Sequence, residues 1–278
     1  MPSIHATAIV DRTAELAEGV TIDAYAIVGA GVSIGAGTTI GSHSVVQGPT
    51  AIGGNCTIGP AAYVGLEPQH LEFLRRPPEV RQQSWLVIGD GTIIRESASV
   101  HRASKAGREN ATRVGNQCLL MGGSHIAHDC VVADHVTMAN GALLAGHCNI
   151  GPRAFLGGSC ALHQFGRIGR LAMIAGNESI GRDVPPFAAM FHGGLKGYNA
   201  VGCRRAGVSR EAIKAIRKTY YCYHSNRTMN GVLAAITDAG IDGPEVREIL
   251  EFFKSTRRGI QPSVRFLNYL RSSDGEDE

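Results

Sequence analysis

His125, His128, Asp129 and Cys130 fall within the six residues HIAHDC, and His147, His163 and Gln164 follow within two further turns of any short repeat. Imidazole near its ordinary pKa takes or gives a proton at neutral pH, and imidazole, carboxylate and thiolate together also hold transition metals. Which chemistry is open depends on which of these groups share a face. The register of the chain therefore has to be settled first.

Stepping by six from Ile4 gives Val10, Leu16, Ile22, Val28, Ile34, Ile40, Val46, Ile52, Ile58 and Val64, all aliphatic. The register returns at Ile88, Ile94 and Val100. It returns again at Val114 and runs by sixes through Ile126, Leu144 and Leu162 to Ile180. Two positions earlier the residue is usually small, as at Ala26, Ser44, Cys56 and Ala62. A period of six suits neither a helix nor an alternating strand. It suits a triangular prism in which each hexad makes one short strand and a corner, and three hexads close a coil. Coils stacked at about 4.8 Å make a prism about 40 Å tall. The sequence thus predicts a mainly β fold, a hexapeptide-repeat parallel β-helix over residues 1–187. Residues 65–87 and 101–113 break the register with prolines and charges and are expected to loop out. From Ser209 the pattern turns helical: SREAIKAIRKTYYCYHS, GPEVREILEFFKS and SVRFLNYLRS read as three helices of a C-terminal helical domain, residues 188–278. Its expected minimal role is to cover the unpaired edges of the last coil.

The bulk numbers narrow the function classes. The 278 residues carry a formal net charge of +3, which gives no nucleic-acid footprint. No apolar run reaches bilayer length, so no membrane insertion is expected. The first residues lack the basic and apolar regions of a secretory signal, and the protein is read as cytoplasmic. Seven cysteines, an odd number, fit reduced thiols better than a disulfide framework.

The register then separates cysteines from histidines. Cys56, Cys118, Cys130, Cys148 and Cys160 each precede a repeat aliphatic by two, which is the small inward column, so they read as packing residues. His125, His128, His147 and His163 fall outside the two inward columns, as do His43 and His135, so a solvated role is the plain alternative for each. Stacking favours function: His128, Gly146 and Gln164 recur at the interval of one coil and form one column, flanked by His147 and His163. That set suits proton abstraction by His128 beside a glycine amide able to meet an oxyanion. Asp129 directly follows His128, but neighbours along a strand face apart, so adjacency alone does not make it a partner. A zinc hydrase of the carbonic anhydrase type, with His125, His128 and His147 as ligands, is the competing reading. The glutamine, the glycine and the helical tail do not call for a metal, and none is expected.

The motifs HIAHDC, LLAGH (143–147), ALHQF (161–165), DVPPF (183–187), IRESASVHR (94–102) and NAVGCRRAGVSREAI (199–213) resemble the UDP-N-acetylglucosamine 3-O-acyltransferases, over nearly the whole chain. The resemblance implies a left-handed coil and the first step of lipid A synthesis. An acyl or 3-hydroxyacyl chain would pass from acyl carrier protein to the sugar 3-hydroxyl, with no cofactor. His128 would be the general base and the Gly146 amide the oxyanion donor. His125, His147, His163 and Gln164 would contact substrate or the acyl-pantetheine arm, and Gln69 and His70 the sugar. Asn199 and Arg205 would meet the nucleotide, His192 the acyl pocket, and Gly176 would stand where bulk limits acyl length. The family's homotrimeric state implies active sites between subunits. The basic residues Arg204, Arg205, Arg210, Lys214, Arg217 and Lys218 would dock the acidic carrier protein. The chain departs from the family in its first loop. His70 replaces the usual acid and Glu72 the usual lysine, while Val201 and Ala206 replace a common glutamate and arginine. A modified acceptor such as a 3-amino UDP-sugar is the alternative those changes raise.

Overall fold

The computed structural model describes residues 1–264. Three parallel faces build the repeat region, with eleven, nine and eight strands among the described residues. The register follows the six-residue period: Ile4 pairs with Ile22, Val10 with Val28, and Leu16 with Ile34. Across the first interruption Val64 pairs with Val100, and across the second Val100 pairs with Ile126, so each interruption leaves the prism and rejoins it in phase. Both rejoin earlier than the sequence suggests. Leu66 pairs with His101 and Leu86 with Thr112, leaving 67–85 and 102–111 outside the strands. Backbone pairing extends the strands over residues whose side chains no longer follow the repeat.

The core is the two inward columns. Ile22, Ile40, Ile58, Ile94, Leu120, Met138 and Leu156 stack on the first face, backed by Val20, Cys56, Cys118, Val136 and Ala154. All seven cysteines are free and buried, the five of the repeat lying in the small column. Most corners turn through the third residue after the repeat aliphatic, held at positive φ; Thr7, Thr13 and Pro49 are exceptions. Glycine serves at Gly31 and Gly37, but Asp129, His147 and Phe165 also adopt φ near +60°. That conformation is costly for all but glycine and, less so, Asn, Asp and His.

The first loop holds two short helices, α1 (Leu71–Leu74) and α2 (Pro78–Arg81), where an irregular excursion was expected. Past residue 187 the first face continues with Ala188–Phe191, parallel to Met173–Ile174, and ends in an antiparallel hairpin with Gly194–Tyr198. The helices begin only at α3 (Ala200–Arg205), followed by α4 (Arg210–Ser225), α5 (Met229–Asp238) and α6 (Pro244–Ser255). Ser209 caps α4 by accepting from the Ala212 amide, as the sequence indicates. Two of the expected helices are α4 and α6; α3 and α5 were not anticipated, and most of SVRFLNYLRS lies outside the described residues. The helices pack on the last coil. The Tyr220 hydroxyl donates to the Pro186 carbonyl, and Arg170 pairs with Glu248 of α6 at 2.7 Å. No helix of the described residues is long and apolar enough to cross a membrane.

Neighbours in one strand should differ sharply. Ile58→Ala, inward and fully buried, is expected to cost about 2–5 kcal/mol of stability. Thr57→Ala, outward and exposed, should change it by no more than about 0.5 kcal/mol. Paired denaturation curves check the register; equal losses would contradict it.

Candidate active site

His128 is the second residue after Ile126, just before the corner, and only 6 % of it is exposed. The loops beside it account for the burial that the repeat alone does not provide. Asp129 follows in the left-handed corner conformation, φ 61°, and this overturns the expectation that the two side chains part. At a corner the alternation of a strand no longer applies. Asp129 Oδ2 lies 2.6 Å from His128 Nδ1. Being ionised, the carboxylate only accepts, so Nδ1 is the donor, and in the neutral ring the lone pair lies on Nε2.

The carboxylate is held from several sides. The Ser104 amide donates to Asp129 Oδ1 at 2.9 Å, and the Asp129 amide donates to Thr112 Oγ1 at 2.8 Å. Burial pushes the Asp129 carboxyl up, but the hydrogen bonds from His128 and from the Ser104 side chain and amide, with the nearby His147, outweigh it and hold the pKa at about 2. His147 occupies the corner one coil on, with Nε2 3.4 Å from Asp129 Oδ2 and its ring edge-on to His128 at 5.2 Å. Phe165, the next corner, stacks on His147 at 4.6 Å.

Gly146 sits against the base. A Cβ placed there would come within 2.7 Å of His128 Cε1 and 3.0 Å of Nε2, so any side chain would displace the imidazole. Its amide is open among the described residues, as are those of His128 and Gln164 at the same position of the neighbouring coils. At the matching position on another edge, Gly54, Asp90 and Asn116 donate their amides to Asp90, Asn116 and Asp134 side chains at 2.7, 2.8 and 2.7 Å. No such acceptor meets the Gly146 amide among the described residues. The Gly146 backbone and the His128 imidazole thus share one small space.

His125 points outward from its strand, with Nδ1 2.8 Å from Ser99 Oγ and its ring edge-on to His101 at 5.0 Å. His70 arrives from the first loop, its ring edge-on to His128 at 5.5 Å. Its Nδ1 accepts from the Phe73 amide and so caps α1. Burial lowers the pKa of His125 and His147, in the latter against the pull of Asp129. His101, buried and beside His125, is pushed down to about 4. His101, His125 and His147 are thereby biased toward the neutral form.

The structure brings His70, His125, His128, Gly146 and His147 together. Gln164 follows Gly146 in the column: the Phe165 amide donates to the Gly146 carbonyl, and the exposed His163 lies beside Gln164. Gln69 is exposed next to His70. His192, Asn199, Arg205 and Gly176 lie toward the far end of the prism and share no hydrogen bond or ring contact with the His128 cluster among the described residues. His192 is at the exposed hairpin turn. The Asn199 side chain caps α3 through the Gly202 amide and donates to the Leu171 carbonyl. Arg205 is exposed, and a Cβ on Gly176 would meet the Gly158 carbonyl at 3.1 Å. Sequence reasoning missed Asp129, Ser99, His101, Ser104 and Thr112. Of these only Asp129 carried a signal, its place as third residue after Ile126 and hence at a corner. His128, Asp129 and His147 also present ligand atoms within 4.8 Å of one another, a set able to accept a cation.

Known proteins extend this picture. The family model described as "Bacterial transferase hexapeptide (six repeats)" matches residues 13–48, and "Udp N-acetylglucosamine O-acyltransferase; Domain 2" matches residues 183–261. A relative from Trichlorobacter lovleyi, named acyl-[acyl-carrier-protein]–UDP-N-acetylglucosamine O-acyltransferase, is 43% identical over 264 residues, 93% of this chain and 98% of its own. This chain belongs to the UDP-N-acetylglucosamine O-acyltransferase family. A Halorhodospira halophila member of the same name is 40% identical over 94% of this chain and 99% of its own. The solved structure of LpxA from Acinetobacter baumannii, 38% identical, superposes with a TM-score of 0.83 over 92% of this chain and 98% of that one. The fold is the left-handed parallel β-helix of this O-acyltransferase family, with C-terminal helices.

The depressed histidines make stability pH-dependent. Between pH 6.5 and 4 the unfolded chain binds a proton that buried His101 refuses. Stability is therefore full above pH 6.5 and falls toward pH 4, by roughly 3 kcal/mol from this residue. His101→Gln should flatten that slope in denaturant titrations run across the window. An unchanged slope would show that His101 accepts protons in the folded state.

Proposed function

We propose that this protein transfers an acyl or 3-hydroxyacyl chain from acyl carrier protein to the 3-hydroxyl of UDP-N-acetylglucosamine, the first acylation of lipid A synthesis. The observation that carries the reading is His128, its Nδ1 engaged by Asp129 and its ring packed against Gly146, whose amide has no hydrogen-bond partner among the described residues. Nε2 takes the proton of the 3-hydroxyl, and the oxygen attacks the thioester carbonyl carbon. The negative charge gathering on the carbonyl oxygen meets the Gly146 amide, aligned before the reaction begins. Collapse breaks the carbon–sulfur bond, and the imidazolium returns its proton to the departing thiolate. The products are the 3-O-acyl sugar nucleotide and the free carrier thiol. No cofactor or metal enters the step.

The other residues are given supporting roles in this reading. His70, Gln69, His125 and His147 border the sugar, and His163 and Gln164 the thioester arm. His192 and Gly176 bound the acyl chain. Arg205 offers its guanidinium to the diphosphate, and Asn199 fixes the helix that presents it. The enzyme acts as a cytoplasmic homotrimer with sites between subunits. Lys214, Arg217, Lys218 and Tyr221 line a cavity of about 580 Å³ beside α4, together with Ala239 and Ile241. Basic residues beside apolar ones suit an acidic carrier protein.

His128→Ala should lower kcat/KM for acyl transfer to UDP-N-acetylglucosamine by roughly 10²–10⁴-fold, and a chelator should leave the wild type unchanged. Loss on chelation with recovery on zinc would instead place a metal on His128, Asp129 and His147. Reversing Lys214 and Lys218 to glutamate should raise KM for the carrier by about tenfold at low salt, with the difference shrinking as salt rises. A fall in KM would remove the docking surface.

A further inference from the structure

We propose that Arg76 is a positioning residue for the base, acting through Ser104 and Asp129; this rests on the acyl-transfer reading above. Arg76 lies just past α1 in the first loop. Its Nη1 donates to the Ser104 carbonyl, in the second loop, at 2.7 Å. The same Ser104 gives its amide to Asp129 Oδ1 at 2.9 Å, and Asp129 Oδ2 holds His128 Nδ1 at 2.6 Å. Arg76 is itself placed by Phe73. The guanidinium carbon lies 5.5 Å from the ring centroid, and Phe73 is 1 % exposed. The Phe73 amide donates to His70 Nδ1 at 3.2 Å, and the His70 ring lies edge-on to His128 at 5.5 Å.

These contacts close a ring: His128, Asp129, Ser104, Arg76, Phe73, His70, and back to His128. The bond from Arg76 to Ser104 is where this ring passes from one loop to the other, beside backbone ties such as the Ala103 amide to the Trp85 carbonyl. Among the described residues it has no carboxylate partner, so its charge is committed to a neutral carbonyl. A guanidinium with an acid in reach normally pairs with it. The placement has a consequence for the base. An aspartate at a corner can swing about its χ angles, and only one rotamer presents Oδ2 to Nδ1. Ser104 selects that rotamer, and Arg76 holds Ser104 in place. The repeat supplies the base and its carboxylate, and Arg76 sets their mutual angle.

The test is steady-state kinetics and thermal melting on wild type, Arg76→Ala, Arg76→Lys, Asp129→Asn and the Arg76→Ala/Asp129→Asn pair. Arg76→Ala should lower kcat by about tenfold, the order lost when the outer partner of a functional group is removed. KM for both substrates should move by less than about twofold, since no binding contact is lost. Arg76→Lys, which keeps one donor, should recover most of kcat. With Asp129→Asn already present, Arg76→Ala should have little further effect, because the two act as one unit. Wild-type kcat in Arg76→Ala overturns the proposal, and so does an undiminished penalty in the Asp129→Asn background. If Arg76→Ala does not fold, Arg76→Gln provides the same comparison. His128→Ala serves as the control: should it keep activity, the functional reading itself falls. If it is inactive while the Arg76 variants match wild type, only the present inference falls.

Discussion

The structure depends on a single backbone condition: at nearly every sixth residue the chain must turn at positive φ so that the next flat strand can begin. Where glycine is absent, the corner is forced on residues that dislike it, including His147 and Phe165. What holds them is the stack. Each coil donates its amides to the coil beside it, and the inward aliphatics of successive coils close into one dry column. The penalty at any single corner is spread over contacts with both neighbouring coils.

That condition also creates the chemistry. The two residues before and at a corner no longer alternate, so the side chains of His128 and Asp129 meet where a strand would have parted them. The amide just before a corner has no partner in its own face. At Gly54, Asp90 and Asn116 a side chain from the next coil fills the need, and at Gly146 that place stays open beside the base. The same small deficit is met by a side chain at those three corners and left open at Gly146.

The prism was legible as far as its period runs, because the period repeats until chance is no explanation; the strands Ala188–Phe191 and Gly194–Tyr198, which carry no period, were not. So were the inward cysteines and the column of His128, Gly146 and Gln164, since all follow from counting. The contact of Asp129 was lost by applying the strand rule at a corner. His101, Ser104 and the edge-on approach of His70 were lost for a different reason. They are placed by two excursions with no period, whose path depends on contacts such as Arg81 with Glu67 and Arg102 with the Gly48 carbonyl. Long-range pairings of that kind leave no mark in local sequence. Asn199 shows the converse: its position matched a binding role, while its side chain is taken up in capping α3.

The phase with which both loops rejoin the prism constrains how such a protein can change. One residue lost between Val114 and Ile180 would turn the inward column outward in every coil beyond it. Length is therefore quantised in the repeat and free only in the two excursions. The spacing between His128 and Gly146 is inherited from the pitch of a β-sheet and is closed to gradual adjustment. Variation can alter what lines the edge, and how far the loops reach over it, while the scale of the reacting centre stays the same.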